Sequence, residues 1–561
     1  MTQPWWKKAV VYQIYPKSFN DTTGNGLGDI KGIIEKLDYL ATLGVDVVWL
    51  TPIYESPQRD NGYDISDYFR IYEPYGTMED FDFLLKEAHK HGIKIIMDIV
   101  VNHTSTEHQW FIESKSSKDN PYREFYIWKD AKDGGAPTNW ESKFGGNAWQ
   151  YDEQTDQYYL HLFDVTQADL NWEHEPVRRE VYDMMKFWLD KGVDGFRLDV
   201  VNLLSKDQRF LDDDGSTGLG DGRKFYTDGP KIHEYLHEMN QEVFSHYDIM
   251  TVGEMSSTSI DNCIKYTNPE RKELDMTFSF HHLKVDYPNG EKWTKADFDF
   301  HKLKQILSDW QVDMNKGGGW NALFWCNHDQ PRVVSRFGND KEYHKQSAKM
   351  LATVIHMMQG TPYIYQGEEF GMTDPKFTSI DEYRDVESLN MYKILKDKGM
   401  QEEEILEILQ HKSRDNSRTP VQWNDSKHAG FTTGSPWINV ANNYQQINAE
   451  NAVADKDSIF YHYQKLITLR KEYDIITTGH YELLVENDPS IFAYLRSTPT
   501  EKLLVLNNFY DSPATFILPD SVEVDGYKPK ILISNYDDTG LSFKNMTLRP
   551  YESVVYHLSH S

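Results

Sequence analysis

The chain of 561 residues is predicted to be an α/β protein: a (β/α)8 TIM barrel with a small inserted domain after strand 3 and a C-terminal antiparallel β domain. Three observations predict this fold. Short runs rich in β-branched residues alternate with segments of helical spacing, as in parallel sheets. A long polar and aromatic segment interrupts that alternation after the third run. Near the C-terminus the apolar period changes to two, which is typical of antiparallel strands.

Eight candidate strands carry the barrel prediction. Eight repeats of strand and helix favour a closed barrel over an open sheet. The helix predicted from Met78 shows the connecting pattern, because its apolar residues recur at helical spacing and Gly92 follows as a C-terminal stop. The strand runs begin at Ala9, Val45, Ile93, Gly192, Ile249, Leu274, Trp320 and Gly360.

Two segments lie outside the alternation. The segment between His103 and Glu173 is rich in Gly, Pro and Asn and is too long for an ordinary βα loop, so we expect an inserted domain there. The period of two begins near His480 and predicts the C-terminal β domain. The predicted segments are 1–103 (barrel, first part), 104–173 (inserted domain), 174–479 (barrel, second part) and 480–561 (β domain).

Composition excludes several classes of partner. The formal net charge of -29 argues against nucleic acid and anionic membranes, since both require a basic face. The chain shows neither a secretory signal nor an apolar run long enough to span a membrane, so we expect a cytoplasmic protein. Cys263 and Cys326 are too few for a disulfide framework or a zinc cluster. The sequence does not predict the oligomeric state.

Charged side chains stand at the predicted C-terminal ends of the strands. In a (β/α)8 barrel these ends converge on one mouth, where the chemistry takes place. Any one such carboxylate could be a cap or an ion-pair partner, but several converging there predict a catalytic site. The residues concerned are Asp98, His103, Arg197, Asp199, Glu254, His328 and Asp329.

The fourth strand, "GFRLDVV", has a charged face and an apolar face. A period of two places Arg197 and Asp199 on one face and Phe196, Leu198 and Val200 on the other. We expect the apolar face to pack on the helices and the charged face to point into the barrel. There the guanidinium would hold the carboxylate of Asp199 ionised, as a nucleophile must be.

Glu254 follows an apolar strand, so desolvation is expected to raise its pKa and to keep it protonated. One ionised and one protonated carboxyl group are the apparatus for cleaving a glycosidic bond. Metal-dependent hydrolysis is the main alternative for converging acids. It is disfavoured because the acids are far apart in the sequence and no His-x-x-x-His or Glu-x-x-His pair occurs.

A separate metal signal occurs in "NDTTGNGLGD". Alternating oxygen donors around glycines are typical of calcium loops, although a threonine departs from the pattern and no glutamate closes it. We expect a structural calcium or magnesium ion here, with a plain Gly-rich turn as the alternative. The expected donors are Asp21, Thr23, Asn25, the Leu27 carbonyl and Asp29.

Four motifs in order resemble the α-amylase family of retaining glycoside hydrolases, glycoside hydrolase family 13. A fifth motif, "QADLNW" from Gln167, is similar to the one that marks the oligo-1,6-glucosidase branch. The resemblance covers essentially the whole chain and implies the same barrel, inserted domain and C-terminal domain. The four motifs are "DIVVNH" from Asp98, "GFRLDVV" from Gly195, "VGEM" from Val252 and "FWCNHD" from Phe324.

The resemblance implies a role for each site residue. Asp199 is expected to be the nucleophile, Glu254 the general acid/base, and Asp329 the stabiliser of the oxocarbenium-like sugar. A pocket closed by an arginine implies exo action, and no organic cofactor is needed. A non-catalytic relative should have lost one of these acids, and all three are present. The residues expected around the terminal glucose are Asp60, Tyr63, His103, Arg197, His328 and Arg414, the last favoured over Arg418 to close the pocket against Asp60.

The linkage is predicted from further resemblance. Val200 after the nucleophile is similar to the branch that cleaves α-1,6 and related linkages. The stretches "GEMSSTS" and "FSFHHLKVDYPNGEKW", with the N-terminal region, resemble the phospho-α-1,1-glucosidases. This implies hydrolysis of trehalose 6-phosphate to glucose and glucose 6-phosphate. The alternative is an oligo-1,6-glucosidase acting on isomaltose and short α-1,6-linked oligosaccharides.

A sugar phosphate needs a local basic patch in so acidic a chain. We predict that Lys284 and Lys292 contact the phosphate; lysines on a solvated loop are the alternative reading. The loop after the sixth strand and the segment after the fourth supply the expected basic cluster on the aglycone side: His281, His282, Lys284, Lys292 and Lys206.

Overall fold

The computed structural model describes residues 3–560; residues 1, 2 and 561, the outermost of the first and last predicted segments, lie outside the described residues. The strands are β1 (Val11–Ile14), β2 (Val47–Leu50), β3 (Tyr54–Glu55), β4 (Asp67–Ile71), β5 (Lys94–Ile99), β6 (His103–Ser105), β7 (Trp128–Lys129), β8 (Trp149–Asp152), β9 (Gln157–Leu160), β10 (Gln167–Asp169), β11 (Gly195–Leu198), β12 (Met250–Glu254), β13 (Met276–Phe278), β14 (Ala322–Leu323), β15 (Thr361–Tyr365), β16 (His480–Leu484), β17 (Ile491–Ser497), β18 (Glu501–Asn508), β19 (Ala514–Ile517), β20 (Tyr527–Ser534), β21 (Asn545–Leu548) and β22 (Ser553–His560).

The α-helices lie between and around these strands. They are α1 (Ile30–Glu35), α2 (Leu37–Leu43), α3 (Met78–Lys90), α4 (Gln109–Ser116), α5 (Glu175–Asp190), α6 (Ile232–Glu242), α7 (Ile260–Thr267), α8 (Phe300–Lys316), α9 (Val333–Arg336), α10 (His344–His356), α11 (Val386–Asp397), α12 (Glu402–Lys412), α13 (Ala449–Ala454), α14 (Ile459–Glu472) and α15 (Ile475–Thr478).

Eight parallel strands form the centre of the molecule. They pair in the order β13, β12, β11, β5, β2, β1, β15, β14. A parallel bridge between Thr277 and Asn321 joins the two outermost strands and closes the sheet. The predicted (β/α)8 barrel is therefore confirmed, and the C-terminal ends of its strands share one mouth.

The inserted segment follows β5 and covers that mouth. β6 pairs antiparallel with β10, which sets His103 opposite Asp169, and β7, β9 and β8 form a second small sheet. α5 then starts the next barrel unit at Glu175. The predicted small domain after the third strand is confirmed, and its residues are placed to line the site.

The C-terminal part forms a five-stranded antiparallel sheet in the order β16, β17, β18, β22, β20, with β19 and β21 as a separate pair. This confirms the predicted β domain. A fully buried arginine on β17, Arg496, ties it to the barrel by donating to the backbone carbonyl oxygens of Met357, Ile476 and Gly479.

A glycine sets the spacing of the two strands that carry the central acids. Gly195 has φ of 147°, and a Cβ there would lie 1.9 Å from the Met250 carbonyl oxygen, so only glycine lets β11 lie this close to β12. The register then pairs Leu198 with Gly253, which brings Asp199 level with Glu254.

One prediction about the fourth strand is wrong. β11 ends at Leu198, and Val200 has a left-handed backbone with φ of 37°. Because the chain turns there, Val200 does not continue the helix-facing side with Phe196 and Leu198. It lines the mouth of the barrel and packs in a cluster with Trp140 and Leu203.

Cys263 and Cys326 are buried free thiols. Across residues 3–560 no helix combines the length and the apolar character needed to cross a membrane.

Candidate active site

A cavity of about 210 Å³ opens at the mouth of the barrel. Arg197 lies beneath it, fully buried. The cavity brings together residues from six barrel strand ends or loops and from the inserted segment. The predicted residues that line it are Asp60, Tyr63, His103, Asp199, Glu254, Lys284, Lys292, His328, Asp329 and Arg414.

The guanidinium of Arg197 is shared by three carboxyl groups. Its Nη1 donates to Asp98 Oδ1 at 2.9 Å and to Asp199 Oδ1 at 2.7 Å, and its Nη2 donates to Glu254 Oε2 at 2.5 Å. The backbone N–H of Val200 also donates to Glu254 Oε2, at 3.1 Å. β5, β11 and β12 thus hold their terminal acids around one cation.

One guanidinium does not balance three acids. Burial raises the pKa of Asp98 to about 6 despite Arg197. Burial, with the nearby carboxyls of Glu254 and Asp98, also raises the pKa of Asp199 well above its ordinary value. The expectation that Arg197 dominates the pKa of Asp199 is therefore wrong, because burial and repulsion outweigh the cation. The donor role of Glu254 stays a prediction.

Asp329 has the opposite electrostatic setting. Burial would raise its pKa, but His328 and the guanidinium groups of Arg414 and Arg418 outweigh burial and lower the pKa of Asp329 well below its usual range. Asp329 Oδ1 lies 2.9 Å from Arg418 Nη2 and 3.3 Å from Arg414 Nη1. This carboxylate stays ionised at neutral pH.

Arg414 closes one end of the cavity. Its Nη2 donates to Asp60 Oδ1 at 2.9 Å, whereas Arg418 donates to the His328 carbonyl oxygen at 2.7 Å. Of the two arginines considered from the sequence, Arg414 is the one that contacts Asp60. Burial raises the pKa of Asp60 to about 7, against the attraction of both arginines.

Two neutral imidazoles and a tyrosine complete this end. The rings of Tyr63 and His328 stack at 5.0 Å, and the Tyr63 hydroxyl donates to Asp98 Oδ2 at 2.8 Å. Burial lowers the pKa of His328 to about 3 and that of His103 to about 4. Both rings can therefore hydrogen-bond a sugar but do not act as acids or bases at neutral pH. Gln167, from the fifth motif, donates to Asp60 Oδ2 at 3.0 Å.

The basic cluster predicted on the aglycone side is only partly present. Lys206 pairs with Asp169 at 2.8 Å, His281 Nε2 lies 2.7 Å from the Thr258 carbonyl oxygen, and His282 Nε2 lies 2.8 Å from the Phe324 carbonyl oxygen. Lys206 and His282 are buried away from the cavity, so their assignment to the cluster is wrong, whereas the assignment of His281, which is only half-buried, stays a prediction. Each is already engaged in a structural hydrogen bond.

Lys284 and Lys292 both line the cavity, but only Lys292 has a carboxylate partner among the described residues. Lys292 Nζ donates to Glu387 Oε1 at 2.7 Å, so its charge is balanced. Burial, together with Arg223 and Lys292, lowers the pKa of Lys284 to about 8. No carboxylate of residues 3–560 lies within 4.0 Å of Lys284 Nζ.

Several residues that line the cavity are not predicted from the sequence. The inserted segment contributes Lys143, Phe144 and Phe163. The ring of Phe144 lies under the guanidinium group of Arg414, with the ring centre 4.8 Å from Arg414 Cζ. The aromatic richness of the insertion was the available signal for the two rings. Nothing in the local sequence marks Lys143, or Glu387 far along the chain, as site residues.

The predicted metal loop is held by its own hydrogen bonds. Asp21 accepts backbone N–H bonds from the loop at 2.8 to 3.0 Å, including that of Thr23, and Asp29 caps α1. Asn25 Oδ1 accepts from the Leu27 N–H at 2.9 Å. In the described part of the chain there is no group of three or more His, Cys, Asp or Glu residues that could hold a metal ion. The oxygen-only donor set suits a hard cation, and the metal site stays a prediction.

Comparison with known families decides the classification. The family model described as "Alpha amylase, catalytic domain" matches residues 13–479, and "Alpha-amylase SusG C-terminal domain" matches residues 491–555. The chain belongs to the alpha-amylase family. The resemblance read from its motifs is confirmed, and with it the prediction of a glycoside hydrolase.

Similar proteins cover the whole chain. Trehalose-6-phosphate hydrolase of Bacillus subtilis (strain 168) is 70% identical over 557 residues, covering 99% of this chain and 98% of that protein. Oligo-1,6-glucosidase of Bacillus cereus is 56% identical over 560 residues and 100% of both chains. The crystal structure of Bacillus licheniformis trehalose-6-phosphate hydrolase is 70% identical, with a TM-score of 0.95 and coverage of 99% and 100%.

Replacing Arg197 with Met is expected to destabilise the protein more at pH 8 than at pH 5. The raised pKa of Asp98, about 6, means that its contribution to stability is lost as the pH rises through that value. Without the guanidinium the pKa values of Asp98 and Asp199 rise further, so the loss extends to higher pH. We expect a cost of about 3–5 kcal/mol at pH 8 in urea unfolding, and less at pH 5.

Arg496→Met is the matched control for this measurement. Arg496 is also fully buried, but it donates to three backbone carbonyl oxygens instead of carboxylates. Its loss should cost the same at both pH values. An Arg197→Met penalty that is equally independent of pH would contradict the charge-sharing account.

Proposed function

We propose that this protein is a retaining, exo-acting α-glucosidase that hydrolyses trehalose 6-phosphate to glucose and glucose 6-phosphate. One observation carries the proposal: a cavity that joins the three acids of a glycosidase to a lysine, Lys284, without a carboxylate partner among the described residues. In a chain of net charge -29, such a cation inside an acidic site needs an anionic ligand to balance it. The 70% identity to trehalose-6-phosphate hydrolase supports the same substrate.

The chemistry follows the two-step retaining mechanism. Glu254 protonates the glycosidic oxygen while the Asp199 carboxylate attacks the anomeric carbon, which forms a glucosyl ester and releases glucose 6-phosphate. Water then attacks the ester with Glu254 as the base, releasing glucose and restoring Asp199. Burial and the neighbouring acids raise the pKa of Asp199 in the free protein, which supports a cluster that shares a proton. For the first step that proton must be on Glu254, and Arg197 contacts both acids.

The opposite side of the cavity suits the developing positive charge on the sugar. Asp329 is kept ionised by Arg414 and Arg418, so a full negative charge is available to an oxocarbenium-like transition state. The contact between Arg414 and Asp60 closes the far end of the cavity. A closed end admits one glucose unit and supports exo action.

The phosphate is proposed to lie against Lys284 and Lys292. A dianion gains most from a cation that lacks another partner, which makes Lys284 the stronger contact. Lys292 already has Glu387, so its contribution is smaller. The substrate class also fits the predicted cytoplasmic location, since a sugar phosphate does not cross an apolar bilayer unaided.

The alternative is the oligo-1,6-glucosidase activity named for the Bacillus cereus relative. Val200 lines the cavity, as a residue that selects the linkage should. That activity does not require Lys284, so the phosphate separates the two functions.

The direct test compares two substrates with purified protein. We expect hydrolysis of trehalose 6-phosphate, followed through release of glucose 6-phosphate, at a kcat/KM at least about 10-fold above that for isomaltose. Asp199→Asn should remove turnover of both, because the nucleophile is lost. A preference for isomaltose would instead establish the oligo-1,6-glucosidase alternative.

Lys284→Ala should raise KM for trehalose 6-phosphate by about 10-fold or more, because one charge-assisted contact to the phosphate is lost. Steady-state kinetics on a neutral aryl α-glucoside should be almost unchanged. Equal losses of kcat/KM on the two substrates would contradict the assignment of Lys284 to the phosphate.

We further propose that the loop with Asp21, Thr23, Asn25, Leu27 and Asp29 binds calcium, or magnesium, in a structural role. Adding calcium after chelation should raise Tm by about 2–5 °C in a thermal melt, since binding favours the folded state. Asp21→Asn should abolish the shift. An identical Tm of the native protein in chelator, calcium and magnesium would refute the site.

A further inference from the structure

The inserted segment places a second lysine, Lys143, on the wall of the active-site cavity. Lys143 lines the same cavity as Glu254 and Lys284. Its backbone is fixed, because its N–H donates to the Leu162 carbonyl oxygen at 2.8 Å. Its Nζ lies 5.5 Å from the centre of the Tyr226 ring. The backbone hydrogen bond and the contact with Tyr226 therefore set the direction of the Lys143 side chain.

The surroundings of Lys143 leave its charge uncompensated. Burial, with repulsion from Arg223 and Lys284, lowers the pKa of Lys143 to about 7, against the weaker attraction of Asp221 and Glu254. Asp221 is already paired with Arg223, whose Nε donates to Asp221 Oδ1 at 3.0 Å and whose Nη2 donates to Asp221 Oδ2 at 2.7 Å.

No carboxylate in residues 3–560 lies within 4.0 Å of Lys143 Nζ. By contrast, Lys292 has Glu387 and Lys206 has Asp169. Lys143 and Lys284 are thus two neighbouring amino groups on the cavity wall that lack a carboxylate partner among the described residues. Holding both there is costly unless an anion binds between them.

We propose that Lys143 is a ligand of the phosphate monoester of the substrate and forms, with Lys284, a two-lysine clamp on the aglycone sugar. This inference rests on the proposed function and deepens it, because it assigns part of the substrate specificity to the inserted segment. A bound phosphate monoester favours the protonated form of both amino groups, and two ammonium groups match its double charge, whereas a neutral disaccharide would leave both without a counter-charge.

A different role for Lys143 would be to act through Glu254, whose charge it senses. In that case its loss would alter proton donation to every substrate, phosphorylated or not. The two roles are separated by comparing a phosphorylated with a neutral substrate.

The experiment uses Lys143→Met, which keeps the apolar stem beside Tyr226 and removes the charge. KM for trehalose 6-phosphate should rise about 10- to 100-fold with kcat changed by less than about 3-fold. Kinetics on a neutral aryl α-glucoside should stay within about 2-fold of the native values. Lys143→Arg should recover most of the loss. Lys118→Met, an exposed lysine of the same inserted segment, should have no effect.

Product inhibition tests the clamp without turnover of a phosphorylated substrate. Glucose 6-phosphate should inhibit hydrolysis of the neutral glucoside, and Lys143→Met should raise its inhibition constant by the same factor as KM. Inhibition by glucose should not change. An unchanged constant for glucose 6-phosphate, or equal losses of kcat/KM on both substrates, would overturn the role of Lys143.

These outcomes are distinct from failure of the proposed function. If native protein prefers isomaltose and glucose 6-phosphate inhibits no better than glucose, the proposed function fails. If native protein hydrolyses trehalose 6-phosphate and Lys143→Met does so with an unaltered KM, only the clamp fails. Should Lys143→Met fold poorly, Lys143→Gln carries the same comparison, with turnover of the neutral glucoside as the measure of folded enzyme.

Discussion

The site depends on one buried guanidinium that three acids share. Arg197 has no exposed surface and contacts Asp98, Asp199 and Glu254 at 2.5 to 2.9 Å. Without it, three buried carboxyl groups from neighbouring strands would lie together with no cation to offset their repulsion. The glycine at the start of β11 allows this arrangement, because a side chain at Gly195 would collide with β12. The charge pairing around Arg197 therefore depends on the close backbone spacing of β11 and β12.

The acids on the two sides of the cavity have pKa values shifted in opposite directions. Around Arg197 the acids are in excess, so the pKa values of Asp98 and Asp199 are raised by burial and mutual repulsion. Asp329 contacts the guanidinium groups of both Arg414 and Arg418, and its pKa is lowered despite burial. A site that must hold a transferable proton and a permanent negative charge gains both from the distribution of arginines, without any metal or organic cofactor in the proposed steps.

The sequence predicts the parts of the site that depend on local patterns. Alternation along β11 predicts that Arg197 and Asp199 share a face, and the strand order predicts that Glu254 lies beside them. It does not predict that the chain turns at Val200, because that depends on a left-handed residue with no glycine to mark it. Nor does it predict which cations are free: Lys206 and His282 are satisfied by partners distant in sequence.

The groups that the sequence predicts and the groups that it does not predict also differ in their proposed function. In the proposed mechanism the barrel strands supply the acids that break the bond, and the positions of these acids follow from the periodic pattern of the strands. In the same proposal the loops and the inserted segment supply the groups that contact the rest of the substrate, and the positions of these groups follow from tertiary packing. Lys143 belongs to the second class, since its neighbours Lys284, Arg223 and Glu254 come from three other parts of the chain. In a protein with a net charge of -29, two lysines without a carboxylate partner among the described residues concentrate positive potential at a single point. A change of substrate therefore requires changes in those loops, whereas the acids and Arg197 can stay the same.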